Sequence, residues 1–153
     1  MIEEKYLHGV DFFDQLTDAE RGALSGCLTM RTLKPSEVIC NQGDVAKSCF
    51  IVLNGTIKVL VIDASQTEAH EVAELERGNI FGEVALLLGG VRSATCRPGE
   101  KGAVIAELGR IEFDQILNAG NSFAYRLLDA ISAQLVSHTR ESVNVLQNTM
   151  NLR

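Results

Sequence analysis

Two apolar, β-branched runs meet at an Asn-Gly pair in the stretch Cys49-Phe50-Ile51-Val52-Leu53-Asn54-Gly55-Thr56-Ile57-Lys58-Val59-Leu60-Val61-Ile62. Each run has the composition that is typical of a β-strand. Asn-Gly favours a two-residue hairpin turn, because both turn positions need positive φ. The stretch therefore predicts a β-hairpin that reverses at Asn54-Gly55.

Strand-like runs continue on both sides of this stretch. Residues 38–40, 70–75 and 103–108 are rich in apolar and β-branched side chains, and Gly43 and Gly78 punctuate the region. Many short strands with regular turns are typical of a sandwich, a jelly roll or a small barrel. The middle of the chain is therefore expected to be mainly β.

A short helix is predicted before the strands. Thr17 and Glu20 lie three residues apart just before an apolar run, which is the spacing of a capping box. We therefore expect a helix that begins at Thr17. The apolar side chains before it are expected to anchor it: Phe12, Phe13 and Leu16.

The last third of the chain has a helical pattern. Residues 111–117 predict a short helix that stops near Gly120, and Asn121 or Ser122 then caps a long helix. This long helix carries a stripe that is consistent with core packing, with a dimer seam or with both. The stripe follows alternating steps of three and four residues through Leu128, Ile131, Leu135, His138, Ser142 and Val145.

Composition and charge restrict the classes of function. The chain has 153 residues, the size of one domain, and a formal net charge of −6. An acidic chain is a poor nucleic-acid binder, because phosphate contacts need a basic face, although a local pocket can still hold one anionic ligand. The sequence shows neither a signal peptide nor an apolar stretch that could span a bilayer. We expect a cytoplasmic protein that binds neither nucleic acid nor membrane.

The cysteines and histidines form no metal or catalytic pattern. No C-x-x-C pair is present and the three histidines are scattered, so a zinc or iron–sulfur site is not expected. No nucleophile–base pair or P-loop is evident, so the sequence predicts no catalytic residues and no enzyme activity. Buried, reduced thiols are the interpretation of Cys27, Cys40, Cys49 and Cys96.

The segment that carries chemistry is Phe81-Gly82-Glu83-Val84-Ala85-Leu86-Leu87-Leu88-Gly89-Gly90-Val91-Arg92-Ser93-Ala94-Thr95. Gly82 allows a close backbone approach, and residues 83–88 favour a short helix whose amino end attracts an anion. Gly89-Gly90 can reverse the chain and bring Arg92 back towards that end. An arginine fork matches two phosphate oxygens, whereas the Glu83 carboxylate only accepts hydrogen bonds and suits a sugar hydroxyl.

This segment resembles the phosphate-binding cassette of the cyclic-nucleotide-binding domain family. The family includes regulatory subunits of cAMP-dependent protein kinase, catabolite activator proteins and cyclic-nucleotide-gated channels. The cassette motif matches at residues 81–87 and 92–95. Residues 37–44 and 50–55 are similar to the early strands of the family, and residues 131–135 to the long helix of the activator branch.

The resemblance implies one domain over residues 1–153, mainly β with flanking helices. The expected fold is a double-stranded β-helix, a jelly-roll-like β-roll of about eight strands. It would span residues 30–108 and contain the cassette at 81–95, after an N-terminal helical segment at 1–29 and before C-terminal helices at 110–150. Residues 96–102 are more turn-like than is usual in the family, so the strand after Thr95 is expected to be interrupted near the pocket rim.

The resemblance also implies a role for individual residues. Glu83 would hold the ribose 2′-hydroxyl, and Arg92 would pair with the equatorial phosphate oxygens. Ser93 and the backbone amides around Glu83 would complete the phosphate site, and helix register places Ser142 near the adenine edge. The full set of ligand-binding candidates is Phe81, Gly82, Glu83, Val84, Ala85, Arg92, Ser93, Ala94 and Ser142.

The function implied by the resemblance is cyclic-nucleotide sensing. Ser93 stands where cGMP-selective members often carry threonine, which favours cAMP over cGMP as the ligand. Binding would move the C-terminal helix and signal to an effector protein or through a homodimer formed by that helix. Two alternatives remain: the effector half of a transcription regulator without its DNA-binding domain, and a structural or interaction domain that binds no ligand.

Overall fold

The computed structural model describes residues 2–62, 68–120 and 124–133. Helices, then strands, then helices follow one another along the chain, as predicted. After a 3-10 turn at Glu4–Tyr6, the elements are α1 (Asp11–Asp14), α2 (Asp18–Cys27), β1 (Thr29–Leu33), β2 (Ser48–Ile62), β3 (Ala69–Leu75), β4 (Ile80–Phe81), α3 (Glu83–Leu88), β5 (Thr95–Gly109), α4 (Arg110–Asn118) and α5 (residues 124–133).

The strands form one antiparallel sheet. Its order is β1-β5-β2-β3, and β4 pairs with β2 outside this path. The described part of the chain contains five strands in an open path rather than about eight, because β2 and β5 are each 15 residues long and cover what the sequence divides into shorter runs. Of the strand predicted at 38–40, only Cys40 pairs, in an isolated bridge to Cys96.

The prediction of a hairpin at Asn54-Gly55 is wrong, because β2 continues through this pair without reversing direction. Residues on both sides of it pair with the same strand, with Val52 opposite Ile105 and Ile57 opposite Pro98. Gly55 adopts φ +77, but Asn54 keeps a negative φ, so the two-residue turn does not form. The positive φ serves instead a β-bulge that shifts the register and bends the strand.

The interruption expected within residues 96–102 does not end β5, but the pairing of β5 with β2 skips residues 99–102, between Pro98 opposite Ile57 and Ala103 opposite Gly55. β5 is continuous from Thr95 to Gly109, and Arg97 and Pro98 still pair with β2. Gly102 adopts φ +76 and lies directly beside Gly55. A Cβ added at Gly55 would collide with the Gly102 carbonyl oxygen. The two glycines therefore mark a bend that the paired strands share, and neither strand ends there.

Local signals at the two shorter flanking helices are confirmed. The Thr17 hydroxyl accepts a hydrogen bond from the Glu20 amide and the Glu20 carboxylate accepts one from the Thr17 amide, both at 3.1 Å. This capping box starts α2, and the predicted anchor residues Phe13 and Leu16 are buried. α4 ends at Asn118, just before Gly120 with φ +65.

The start of the predicted long C-terminal helix is present as α5. Within it Ile131 is fully buried and Leu128 is partly buried against the same apolar cluster, so this part of the stripe packs into the core. The predicted cap at Asn121 or Ser122 and the stripe from Leu135 to Val145 lie outside the described residues.

β2 and β5 separate two apolar clusters. Cys49, Ile51 and Leu53 of β2 pack on one side with the flanking helices. Phe50 and Val52 point to the opposite side, into the interior of the roll, as the two-residue period of a strand requires. Since both faces are buried, the run is apolar throughout and shows no polar alternation.

Candidate functional site

The cassette begins on a short strand that fixes it to the centre of the sheet. β4 pairs with β2 through Ile80 opposite Ile51 and Phe81 opposite Phe50. The Phe50 and Phe81 rings stack with centroids 5.0 Å apart inside the roll. Phe81, one of the predicted ligand-binding residues, is 3% exposed and packs in the same apolar cluster as Phe50.

Gly82 joins β4 to α3 at a point where a side chain would not fit. It adopts φ +75, a conformation that L side chains rarely adopt. A Cβ built there would lie 2.6 Å from Nη1 of Arg92 and 3.4 Å from the Phe50 ring. The glycine therefore allows the arginine at the end of the cassette to return against its beginning.

Arg92 is buried, with 8% of its surface exposed, and its guanidinium is held on three sides. Nη1 donates a hydrogen bond to the Gly82 carbonyl at 3.4 Å, and Nη2 donates to the Ser48 hydroxyl at 3.2 Å. The guanidinium carbon lies 5.0 Å from the centroid of the Phe50 ring, a cation–π arrangement. Both hydrogen bonds end on neutral oxygen atoms, so they orient the positive charge without neutralising it.

Glu83 is the first residue of α3 and is 1% exposed. A carboxylate so deep in the fold belongs to a site that holds hydrogen-bond donors, because burying an uncompensated charge is costly. Glu83 and Arg92 both interact electrostatically with the thiol of Cys49. Burial raises the pKa of Cys49 to about 12, while the Glu83 charge raises that pKa and the Arg92 charge lowers it.

Three of the remaining predicted cassette residues lie nearer the surface. Ser93 and Val84 are exposed, and Ala94 is half-buried. Ala85 is part of α3. The structure therefore brings Gly82, Glu83 and Arg92 together in the interior, whereas Ser142 lies outside the described residues.

An arm of two chain segments carries Arg92 into place. The Arg92 amide donates to the Asp44 carbonyl at 2.7 Å, and the Gly43 amide donates to the Arg92 carbonyl at 2.8 Å. The Ala46 amide donates to the Gly90 carbonyl at 3.0 Å, and the Gln42 amide donates to the Thr95 hydroxyl at 2.9 Å. We call residues 40–46 and 90–96 together the cassette arm.

Two residues that support Arg92 were not predicted from the sequence. Ser48 is buried, accepts from Nη2 of Arg92 and donates to the Glu107 carboxylate at 2.8 Å. Phe50 places its ring under the guanidinium. Ser48 lies 44 residues before Arg92, so no local pattern relates the two.

Within the described ranges the structure shows no group of three or more potential metal ligands. In that same part of the chain, no helix is long and apolar enough to cross a membrane.

Comparison with known proteins assigns the family. The model of the cyclic nucleotide-binding domain matches residues 30–119, which is more than half of the chain and includes the whole cassette. The chain belongs to the cyclic nucleotide-binding domain family. The matched unit is the regulatory type of domain and not a catalytic one.

Relatives by sequence are parts of longer signalling proteins. A cGMP-dependent protein kinase of Toxoplasma gondii is 32% identical over 113 residues, which is 74% of this chain and 11% of the kinase. A cAMP-dependent protein kinase regulatory subunit of Blastocladiella emersonii is 34% identical over 114 residues, 74% of this chain and 28% of the subunit. The chain therefore spans less than a third of the length of either relative.

Comparison of structures confirms the β-roll. A cyclic nucleotide-binding domain of Methylobacillus flagellatus superposes with a TM-score of 0.81 at 19% identity. The match covers 95% of this chain and 80% of that one. At this level of identity the likeness establishes the fold alone.

Proposed function

We propose that this chain senses a cyclic nucleotide, with cAMP preferred over cGMP, and binds it at the cassette. The observation that carries the proposal is the pair of buried charged residues at the two ends of the cassette, Glu83 and Arg92. Membership of the cyclic nucleotide-binding domain family supports it. A cyclic nucleotide has the two complementary groups, an anionic phosphate and a ribose hydroxyl.

Arg92 would receive the phosphate. A guanidinium has five N–H donors, and the two observed hydrogen bonds, to Gly82 and Ser48, fix its plane. The other donors suit the oxygens of an anion, and a fixed fork loses little freedom when it binds. Phosphate binding would also neutralise a buried positive charge.

Glu83 would receive the ribose. Its carboxylate accepts hydrogen bonds and repels phosphate, so it suits the 2′-hydroxyl of a cyclic nucleotide. Its place at the first residue of α3 is favourable for a negative charge, because the amino end of a helix carries partial positive charge. The sugar and the phosphate would thus bind side by side, where the return loop brings Arg92 back to the start of α3.

Preference for cAMP rests on Ser93, which stands where cGMP-selective members of the family often carry threonine. Ser93 is exposed. The relatives include both a cGMP-dependent kinase and a cAMP-dependent kinase subunit. A direct comparison of the two nucleotides is therefore part of the test.

Movement of the C-terminal helix would be the output. Leu86 of α3 is fully buried in the same apolar cluster as Leu127 and Ile131 of α5. A shift of α3 on binding would change the packing of α5, because closely packed cores accommodate little continuous deformation. The ligand shifts the equilibrium between two helix positions only to the extent that it binds the protein more tightly in one position than in the other.

Titration calorimetry of the purified chain with cAMP and with cGMP tests the binding proposal. We expect the native chain to bind cAMP more tightly, and Arg92→Ala to lose about two hydrogen bonds to a charged group, or roughly 100-fold or more in affinity. Arg97→Ala is the matched control, because Arg97 is an exposed arginine of β5. Absence of binding heat for both nucleotides, with native circular dichroism, would refute the proposal.

A tryptophan reporter tests the helix movement separately. The chain has no tryptophan, so Tyr125→Trp on α5, at a site 74% exposed, gives a single emission signal. We expect the emission to shift on addition of cAMP. Val72→Trp on β3, at a site 50% exposed, is the control and should not respond. An unchanged Tyr125→Trp spectrum at saturating nucleotide would contradict movement of α5.

A further inference from the structure

Two cysteines face each other at the base of the cassette arm. The Cys96 amide donates to the Cys40 carbonyl at 3.0 Å, and the Cys40 amide donates to the Cys96 carbonyl at 3.4 Å. This exchange of both hydrogen bonds defines a directly opposed antiparallel pair, with a usual Cα separation of about 5.5 Å. Disulfides span Cα separations of about 4.4–6.8 Å. The pairing therefore brings the two backbones to about the separation that disulfides span.

A local bulge adds to this arrangement. The amides of Ile39 and Cys40 both donate to the Cys96 carbonyl, at 2.9 and 3.4 Å, so two residues oppose one. Bulges re-aim side chains and occur beside functional sites. The Cys40 thiol is half-buried and the Cys96 thiol is buried, so reagents from solution reach Cys40 first.

The two thiols are chemically different. The hydrogen bond with the Cys96 thiol, together with the charge of Arg92, lowers the pKa of Cys40 to about 7 although burial raises it. The same hydrogen bond and burial raise the pKa of Cys96. Because the thiolate is the reactive form and Cys40 is the more exposed of the two thiols, Cys40 is the better candidate for the attacking sulfur.

We propose that Cys40 and Cys96 form a redox-active pair that hydrogen peroxide converts into an intramolecular disulfide. The Cys40 thiolate attacks the peroxide bond and becomes a sulfenic acid, and the leaving oxygen takes up a proton as water. The Cys96 sulfur then attacks the Cys40 sulfur, and its proton leaves with the sulfenic oxygen as a second water. The two thiols lose two electrons in total, and hydrogen peroxide gains them.

The disulfide would lock the cassette arm at its base. Cys40 is the first residue of one segment and Cys96 is the last residue of the other, and the arm's remaining hydrogen bonds include those at the Arg92 backbone. Arg92 lies four positions before Cys96 in the chain. Oxidation would therefore restrain the segment that carries the proposed phosphate-binding arginine. This inference concerns the thiols and is independent of nucleotide binding.

Peptide mapping after oxidation tests the pair. The full chain is treated with hydrogen peroxide, the remaining thiols are alkylated, and the digest is analysed without reduction by mass spectrometry. We expect one cross-linked peptide pair that joins Cys40 to Cys96 and disappears on addition of dithiothreitol. Cys40→Ser should abolish it. Cys27→Ser, which removes another half-buried cysteine, should leave the yield unchanged.

Two outcomes would overturn the proposal. One is accumulation of Cys40 as sulfinic acid without a cross-link to Cys96 in the folded chain. The other is an equal yield of random cross-links in folded and denatured protein, which would show that the fold does not select the pair.

Hydrogen exchange supplies a second readout that does not depend on the substitutions. We expect slower exchange of the Gly43 and Arg92 amides in the oxidised chain than in the reduced chain, because both amides donate within the cassette arm. The Val52 amide, which bonds to the Asn79 carbonyl outside the arm, is the internal control. Unchanged exchange at Gly43 and Arg92 would contradict the locking of the arm.

Discussion

Gly82→Ala separates the geometry of the cassette from the stability of the fold. The new Cβ would lie 2.6 Å from Nη1 of Arg92, well inside ordinary van der Waals contact. The guanidinium is the far end of a flexible side chain, so it can move aside. Its displacement would remove the hydrogen bond to the Gly82 carbonyl and turn the fork away from the phosphate position.

The free energy of unfolding should fall by about 1–2 kcal/mol for the strained φ alone, which is the cost of an L side chain in the left-handed region. Gly120→Ala is the matched control, because Gly120 also has a positive φ (+65) but its Cβ would meet nothing within 4 Å. Urea titration should give a loss of stability for Gly82→Ala that exceeds the loss for Gly120→Ala by about 1–3 kcal/mol, because only Gly82→Ala also breaks the hydrogen bond from Arg92.

Nucleotide affinity should distinguish the two variants. Calorimetry with cAMP should show a loss of at least roughly tenfold for Gly82→Ala, equivalent to one charged hydrogen bond of about 1.5–3 kcal/mol. Gly120→Ala should bind like the native chain. If a folded Gly82→Ala variant bound cAMP with native affinity, the proposal that Arg92 binds the phosphate in the orientation set by Gly82 would be refuted.

Three further predictions concern local features of the fold. Thr17→Ala should lower the free energy of unfolding by about 1 kcal/mol in urea titration because the capping box is lost, and Thr17→Ser should restore most of it. Gly55→Ala should cost more than about 2 kcal/mol, since a strained φ and a backbone collision add; a loss no larger than that of Gly120→Ala would contradict the close approach of the strands. Alkylation of Cys40 should accelerate as the pH rises through about 7, whereas Cys49, with its pKa raised to about 12, should stay unreactive; equal rates at neutral pH would exclude the lowered pKa of Cys40.

Features encoded by a few neighbouring residues could be predicted from the sequence. The capping box at Thr17 and Glu20 needs only three-residue spacing, and it formed as expected. The cassette was located from one continuous segment, because its glycines, short helix and arginine occur in order. Whether its residues bind nucleotide remains a prediction.

Features that depend on distant parts of the chain could not be predicted. The Asn-Gly pair correctly indicates a positive φ at Gly55, but it does not distinguish a chain reversal from a β-bulge. Which of the two forms depends on the strand that pairs with this segment, and that strand is β5. The same limit explains why two long bent strands were divided into several short ones. It also explains why Ser48 and Phe50, which hold Arg92, were missed.

The pairing of β2 with β5 also has a consequence for folding kinetics. Thr29 pairs with Glu107 and Ser48 pairs with Gly109, so the cassette lies inside a long chain loop that these contacts close. Proteins dominated by such non-local pairings fold slowly, on the order of milliseconds to seconds. Ser48 lies 44 residues before Arg92, so competence to bind should appear with formation of the sheet and not with any local element. A ligand that binds only the closed chain would then stabilise it by mass action.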